Sequence, residues 1–175
     1  FSDRENVRLF HKALCHQLPP DSKVRLYKDS DSGIGDSMYR ESPAYEEVEA
    51  GRLSDFLLEN DLIQDKNIIL LRMNIEGAEY DVIKDLIESG FARIIAGYFG
   101  MWDDVSKIDE ERDEEFRALL EEAQIRSFTF NGRDMRWFTR RRIIAYDLKT
   151  RILVGMKRIE RLKVENRVGK ADLVR

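Results

Sequence analysis

From Ile68 to Leu71 four apolar residues run without a break, and soon afterwards Val82, Ile83, Leu86 and Ile87 recur at helical spacing. The first pattern is that of a parallel strand buried on both faces, and the second is that of an amphipathic helix. The stretch from Asn67 to Gly90 therefore predicts a strand feeding a helix through one tight turn at Gly77, with Gly90 as the C-terminal cap. Open α/β sheets bind ligands in the crevice beyond such strand ends. That geometry places Asn74, Glu76 and Glu79 on its lip.

Other elements follow from the same periodicities. Val7 to Cys15 alternates in part and predicts a strand ending near Ala13 and Leu14, Pro19-Pro20-Asp21 is a turn, and Lys23 to Lys28 is a second short strand. Asp29 to Ser37 is a polar loop. Its Gly33-Ile34-Gly35 does not make a nucleotide-phosphate loop, because Met38 stands where a third small residue belongs and Asp29, Asp31 and Asp36 repel an anion. The loop serves either as a lid over substrate or as solvated connection. Leu53 to Leu58 predicts a short helix with Ser54 and Asp55 near its start, and Arg93 to Phe99 a further buried strand.

Beyond that strand, Trp102 and Asp103 sit on a loop at the same sheet edge as Glu76, which makes them a substrate platform unless Trp102 folds back onto the core. Ile108 to Ala123 predicts a helix with Phe116, Leu119, Leu120 and Ala123 on one stripe and an acidic solvated side from Asp109 to Glu115. Arg126 to Phe130 alternates, Asn131-Gly132 is a hairpin turn leading to Met135–Phe138, and Ile143 to Tyr146 gives another strand. From Ile152 onward, Met156, Ile159 and Leu162 make a helical stripe among many Lys and Arg.

Composition narrows the class. With 175 residues the chain is one domain by length, and 42% hydrophobic with 37% charged residues describes a soluble globular protein with a heavily charged surface. No apolar run reaches membrane-span length and no signal peptide opens the chain, so the expected compartment is the cytoplasm and no membrane partner is expected. The lone Cys15 excludes an internal disulfide, and His11, Cys15 and His16 fit no zinc-ligand spacing. Because it starts with Phe1, the chain reads as an excised or processed piece.

The net charge of -4 conceals an asymmetry: residues 1–132 hold 16 Lys and Arg against 29 Asp and Glu, while residues 133–175 hold 14 against 5. The two parts thus carry -13 and +9. A basic end of this kind neutralises an acidic body, its own or a neighbour's, or else contacts an acidic partner or nucleic acid. Nucleic acid has less support, because residues 152–175 contain no aromatic side chain on which bases could stack.

Arg72-Met73-Asn74-Ile75-Glu76-Gly77-Ala78-Glu79, with Tyr80, Val82, Ile83 and Leu86 after it, resembles the Lys-Ile-Asp-Val-Glu-Gly-Ala-Glu signature of FkbM-family methyltransferases. The likeness extends upstream through Gly51-Arg52-Leu53-Ser54-Asp55-Phe56-Leu57 and downstream through Ala92–Phe99, covering roughly 7–148. Arg72 replaces the usual lysine and Asn74 the usual aspartate. The second change is chemically significant, because an amide cannot accept a proton as a carboxylate can.

The resemblance implies an α/β fold: a Rossmann-like class I methyltransferase sheet lacking its first two strands, closed by an antiparallel hairpin and followed by a basic C-terminal helix. It divides the chain into a methyltransferase-like part, 1–148, and a basic helix, 149–175. It further implies S-adenosylmethionine as cofactor and methyl transfer to a hydroxyl of a small molecule or sugar. Ala13 and Leu14 would lie along the cofactor's adenine, and the glycine-rich turn that holds its other end would belong to the absent strands. Glu76 and Glu79 are the candidate catalytic carboxylates, and Asn74, Trp102 and Asp103 the substrate contacts. A second copy, or a missing N-terminal segment, would cover the apolar edges that the absent strands expose. A non-catalytic remnant acting as a binding module is the competing expectation.

Overall fold

The structure is a computed structural model and describes residues 7–29, 35–64, 67–100, 102, 105–125, 127–129 and 137–172. Among these residues the chain forms a mixed α/β arrangement of two three-stranded sheets and four α-helices.

The first sheet has the order β1-β3-β2, from Ala13–Leu14, Tyr45–Gly51 and Lys23–Tyr27 respectively. β1 runs parallel to β3, and β2 antiparallel to it, with Lys23 opposite Glu49 and Arg25 opposite Glu47. The sequence gives no clear sign of β3, because its Tyr-Glu-Glu-Val-Glu-Ala-Gly is poor in strand formers. Two features place it in the sheet. Val48 and Ala50 turn inward and are buried, and its glutamates meet cations on both neighbours, Lys12 on Glu49 at 2.8 Å and Lys28 on Glu46 at 2.9 Å. Of the strand expected from Val7 to Cys15, only β1 forms.

The second sheet has the order β4-β5-β6, from Ile69–Met73, Ile95–Gly100 and Ser127–Thr129, all parallel. A 3-10 turn at Phe91–Ile94 occupies the start of the strand expected from Arg93. β4 and β5 converge at their C-terminal ends, where a Cβ on Gly100 would lie 1.7 Å from the Met73 carbonyl oxygen. Only glycine fits there, and the φ of +140° suits no other residue.

Helices α1 (Leu53–Glu59), α2 (Glu79–Glu88) and α3 (Glu110–Glu122) follow from the predicted stripes. Val82, Ile83 and Leu86 of α2 and Phe116 of α3 are buried, forming one cluster with Leu57, Met73, Tyr98 and Trp102. Leu119, Leu120 and Ala123 pack partly buried against it. α1 is tied to α2 by a buried contact: the Asp85 carboxylate accepts from the Ser54 backbone N–H at 2.8 Å and from its hydroxyl at 2.6 Å. A side chain from another helix thus caps α1.

α4 (Trp137–Asp172) corrects the expectation of an antiparallel closing hairpin. Ile143–Tyr146 is helical and β6 pairs parallel, so this edge has no antiparallel hairpin among the described residues; Asn131-Gly132 lies outside them. Four residues of alternation are too few to distinguish strand from helix, whereas Ile144, Leu148, Arg151, Gly155 and Ile159 make a continuous half-buried seam at helical spacing. The helix also runs unbroken through 148 and 149. Of the apolar stripe expected from Ile152 onward, Ile159 joins the seam while Ile152 and Met156 are exposed.

Along that seam Arg151 donates to the Ala96 carbonyl at 2.9 Å and lies 5.7 Å over the Phe99 ring. Gly155 admits Ile68, whose Cδ1 stands 2.7 Å from where a Cβ would be. On the same strand, Tyr98 instead meets Trp102, which packs on Phe116 of α3. Strand residues alternate between faces, so α3 and α4 cover opposite faces of this sheet. Among the described residues no helix is long and apolar enough to cross a membrane.

Replacing Asp85 by alanine strips two buried donors of their acceptor. Urea denaturation should show a stability loss of about 2 kcal/mol, the cost of leaving such groups unpaired.

Candidate functional site

The turn from β4 into α2 is built around a buried carboxylate. Glu79, fully buried, accepts from the Ile75 N–H at 3.0 Å and from the Gly77 N–H at 2.8 Å. These bonds fold the intervening residues back over the first turn of α2. The chain achieves that reversal with two consecutive left-handed residues, Glu76 at φ +52° and Gly77 at φ +100°. A side chain at Gly77 would run into Ile108, whose Cδ1 lies 1.9 Å from the Cβ position. Glycine is therefore required for both conformation and space.

The turn pushes Glu76 outward. Its side chain is mostly but not wholly buried, with Arg40 Nη1 3.7 Å from Oε2. Its carbonyl accepts from the Ser37 hydroxyl at 3.0 Å. Ser37 and Arg40 belong to the loop between β2 and β3, which thus grips the turn.

Tyr39 of the same loop reaches further. Its hydroxyl donates to the Asp81 carboxylate, which also accepts from Arg112 of α3. The Arg112 guanidinium lies 4.5 Å from the Tyr39 ring centre and 4.3 Å from that of Tyr80. Burial, reinforced by the neighbouring Asp81 charge, raises the Tyr39 pKa well above the ordinary phenol value, so it remains a donor at neutral pH.

A cleft of about 500 Å³ opens between the ends of β1 and β4. Ala13, Leu14, Asn74 and Glu76 all line it, although sequence places them more than 50 residues apart. His11, Lys12, Asp36 and Met38 complete its polar rim and part of its floor. The sequence did not single out Lys12 or Met38 for a site, nor the grip exerted by Ser37, Tyr39 and Arg40. No periodicity marks them, because their partners lie up to 73 residues away.

Two candidates stand elsewhere. Glu79 does not line this cleft and is spent on the turn. Trp102 is buried in the core between Tyr98 and Phe116 instead of forming a platform at the sheet edge. Asp103 lies outside the described residues. His16 pairs with Glu88 at 2.6 Å while His11 approaches Glu46 at 3.8 Å, and the described residues hold no cluster of three or more His, Cys, Asp or Glu suited to a metal.

The cleft thus brings a carboxylate, an amide and a lysine together with apolar side chains at the ends of parallel strands, where open α/β sheets bind ligands. The methyltransferase FkbM domain matches residues 15–126, and the chain belongs to that family. Among curated proteins and among solved structures, nothing matches the chain.

Glu79→Gln tests the role of the turn. The amide keeps the shape, but its NH2 group faces an N–H donor, so a stability loss of about 2 kcal/mol is expected in denaturant titration.

Proposed function

We propose that this FkbM methyltransferase domain is an S-adenosylmethionine-dependent O-methyltransferase acting in the cytoplasm on a hydroxyl of a small molecule or sugar, with a Rossmann-like sheet as its framework. The observation that carries this reading is the convergence of Asn74 and Glu76 with Ala13 and Leu14 on one cleft. The cleft suits part of the cofactor. Its apolar wall at Ala13 and Leu14 accepts a flat base, and the carboxylates of Asp36 and Glu76 suit a sulfonium cation. Among the described residues that line it, the one glycine, Gly35, adjoins Asp36, which repels the cofactor's carboxylate.

When bound, S-adenosylmethionine supplies an electrophilic methyl group. The chain's own contribution is alignment. Glu76, fixed by the turn and by Ser37, accepts a hydrogen bond from the acceptor hydroxyl and aims its oxygen, and Asn74 holds a neighbouring polar group. Met38, on the loop between β2 and β3, adds an apolar side chain to the cleft lining. A binding-module reading draws its support from Asn74, whose amide cannot take up a proton.

Calorimetric titration of this chain with S-adenosylmethionine should give binding weaker than the micromolar range, because no described glycine-rich turn borders the cleft to receive the carboxypropyl end. Micromolar affinity would show that the cleft holds the whole cofactor.

In a form that turns over labelled methyl groups, Glu76→Gln should cut kcat on the order of a hundredfold with little change in melting temperature. A lowered melting temperature with unchanged turnover per folded molecule would remove Glu76 from the chemistry.

A further inference from the structure

Helix α4 has 36 residues and so extends about 54 Å at the usual ~1.5 Å rise, longer than the sheet it covers. Its inner seam is half-buried, yet its outer side is not purely polar. Arg142, Tyr146, Lys149, Leu153 and Lys157 follow one another at spacings of four, three, four and four on the side away from the body. Tyr146 is 75% exposed and Leu153 47%. A helix with apolar residues on its solvent side as well as its packed side is one that a partner covers.

The complementary surface occurs on α3. Its outward residues Glu111, Glu114, Ala118 and Glu121 are all exposed, presenting a small side chain among carboxylates, and the neighbouring exposed cation, Arg117, is paired with Asp113 at 2.7 Å. An alanine allows a second helix axis to approach closely while the surrounding glutamates meet cations. The whole-chain charges point the same way, +9 over residues 133–175 against -13 over residues 1–132. α4 cannot satisfy this complementarity within its own molecule, because α3 lies on the opposite face of the sheet.

We propose that the outer face of α4 docks across the outer face of α3 of a second copy of this chain, with Tyr146 and Leu153 seated beside Ala118 and Lys149 and Lys157 against Glu114 and Glu121. Because α3 and α4 lie on opposite faces of the sheet, the contact is heterologous and joins copies head to tail. The proposal is independent of the catalytic reading.

Light scattering and sedimentation measure it. The full chain at about 100 µM and low salt should exceed the 20.6 kDa of a single copy, with association weakened tenfold or more in ~0.5 M salt as screening removes the charge term. Lys149→Glu with Lys157→Glu, and separately Glu114→Lys with Glu121→Lys, should each leave single copies. Mixing these two variants should restore association, with the two present in equal proportion. If a charge variant loses its helical circular dichroism, Tyr146→Ser with Leu153→Ser must abolish association instead. A wild-type chain that stays at single-copy mass overturns the proposal, as does association indifferent to both charge reversals. A single-copy chain captured by anionic vesicles or by nucleic acid would assign the face to that polyanion and overturn it equally.

Discussion

The site depends on one buried carboxylate. Glu79 takes two backbone N–H groups of the turn in front of its own helix. Burying a carboxylate is costly unless it is hydrogen-bonded, so the arrangement holds only while the turn keeps its left-handed pair at Glu76 and Gly77. The same constraint turns Glu76 outward into the cleft. The two glutamates of one short motif thus divide the work, one holding shape and the other presenting charge.

A second buried carboxylate, Asp85, performs the comparable task for α1, and the Asp81, Tyr39 and Arg112 group fastens the loop between β2 and β3 to α2 and α3. All three acids sit on α2. That helix is apolar enough on one side to anchor the core through Val82, Ile83 and Leu86, while its remaining positions organise the neighbouring loops and helices. The Glu76 side of the cleft and the loop between β2 and β3 are consequently both fastened to α2, which favours a preorganised site.

Membership of the FkbM methyltransferase family gives this arrangement its chemical setting. Asn74 occupies a cleft position where the family signature has an acid, leaving Glu76 and Asp36 as the acidic side chains that line the cleft. The proposed methyl transfer to a hydroxyl demands alignment more than strong proton abstraction, so an amide beside a fixed carboxylate is chemically consistent with that proposal.

The sequence by itself determined the strand, turn and helix from Asn67 to Gly90, the family, and the clefted end at which Asn74 and Glu76 stand. Those features are local: a run of apolar residues, a 3.6 period and a glycine each state their own conformation within a few positions. Tertiary structure decided what depended on distant partners. Glu79 and Trp102 are polar or amphipathic residues near a strand end, and only packing showed that one closes a turn and the other fills the core. β3 became a strand because lysines on β1 and near β2 offset its glutamates, a pairing no local pattern records. The Ile143–Tyr146 stretch is compatible with either period over so few residues, and its helical state follows from the seam that Ile144, Leu148, Arg151, Gly155 and Ile159 build against a sheet lying some fifty residues or more away in sequence.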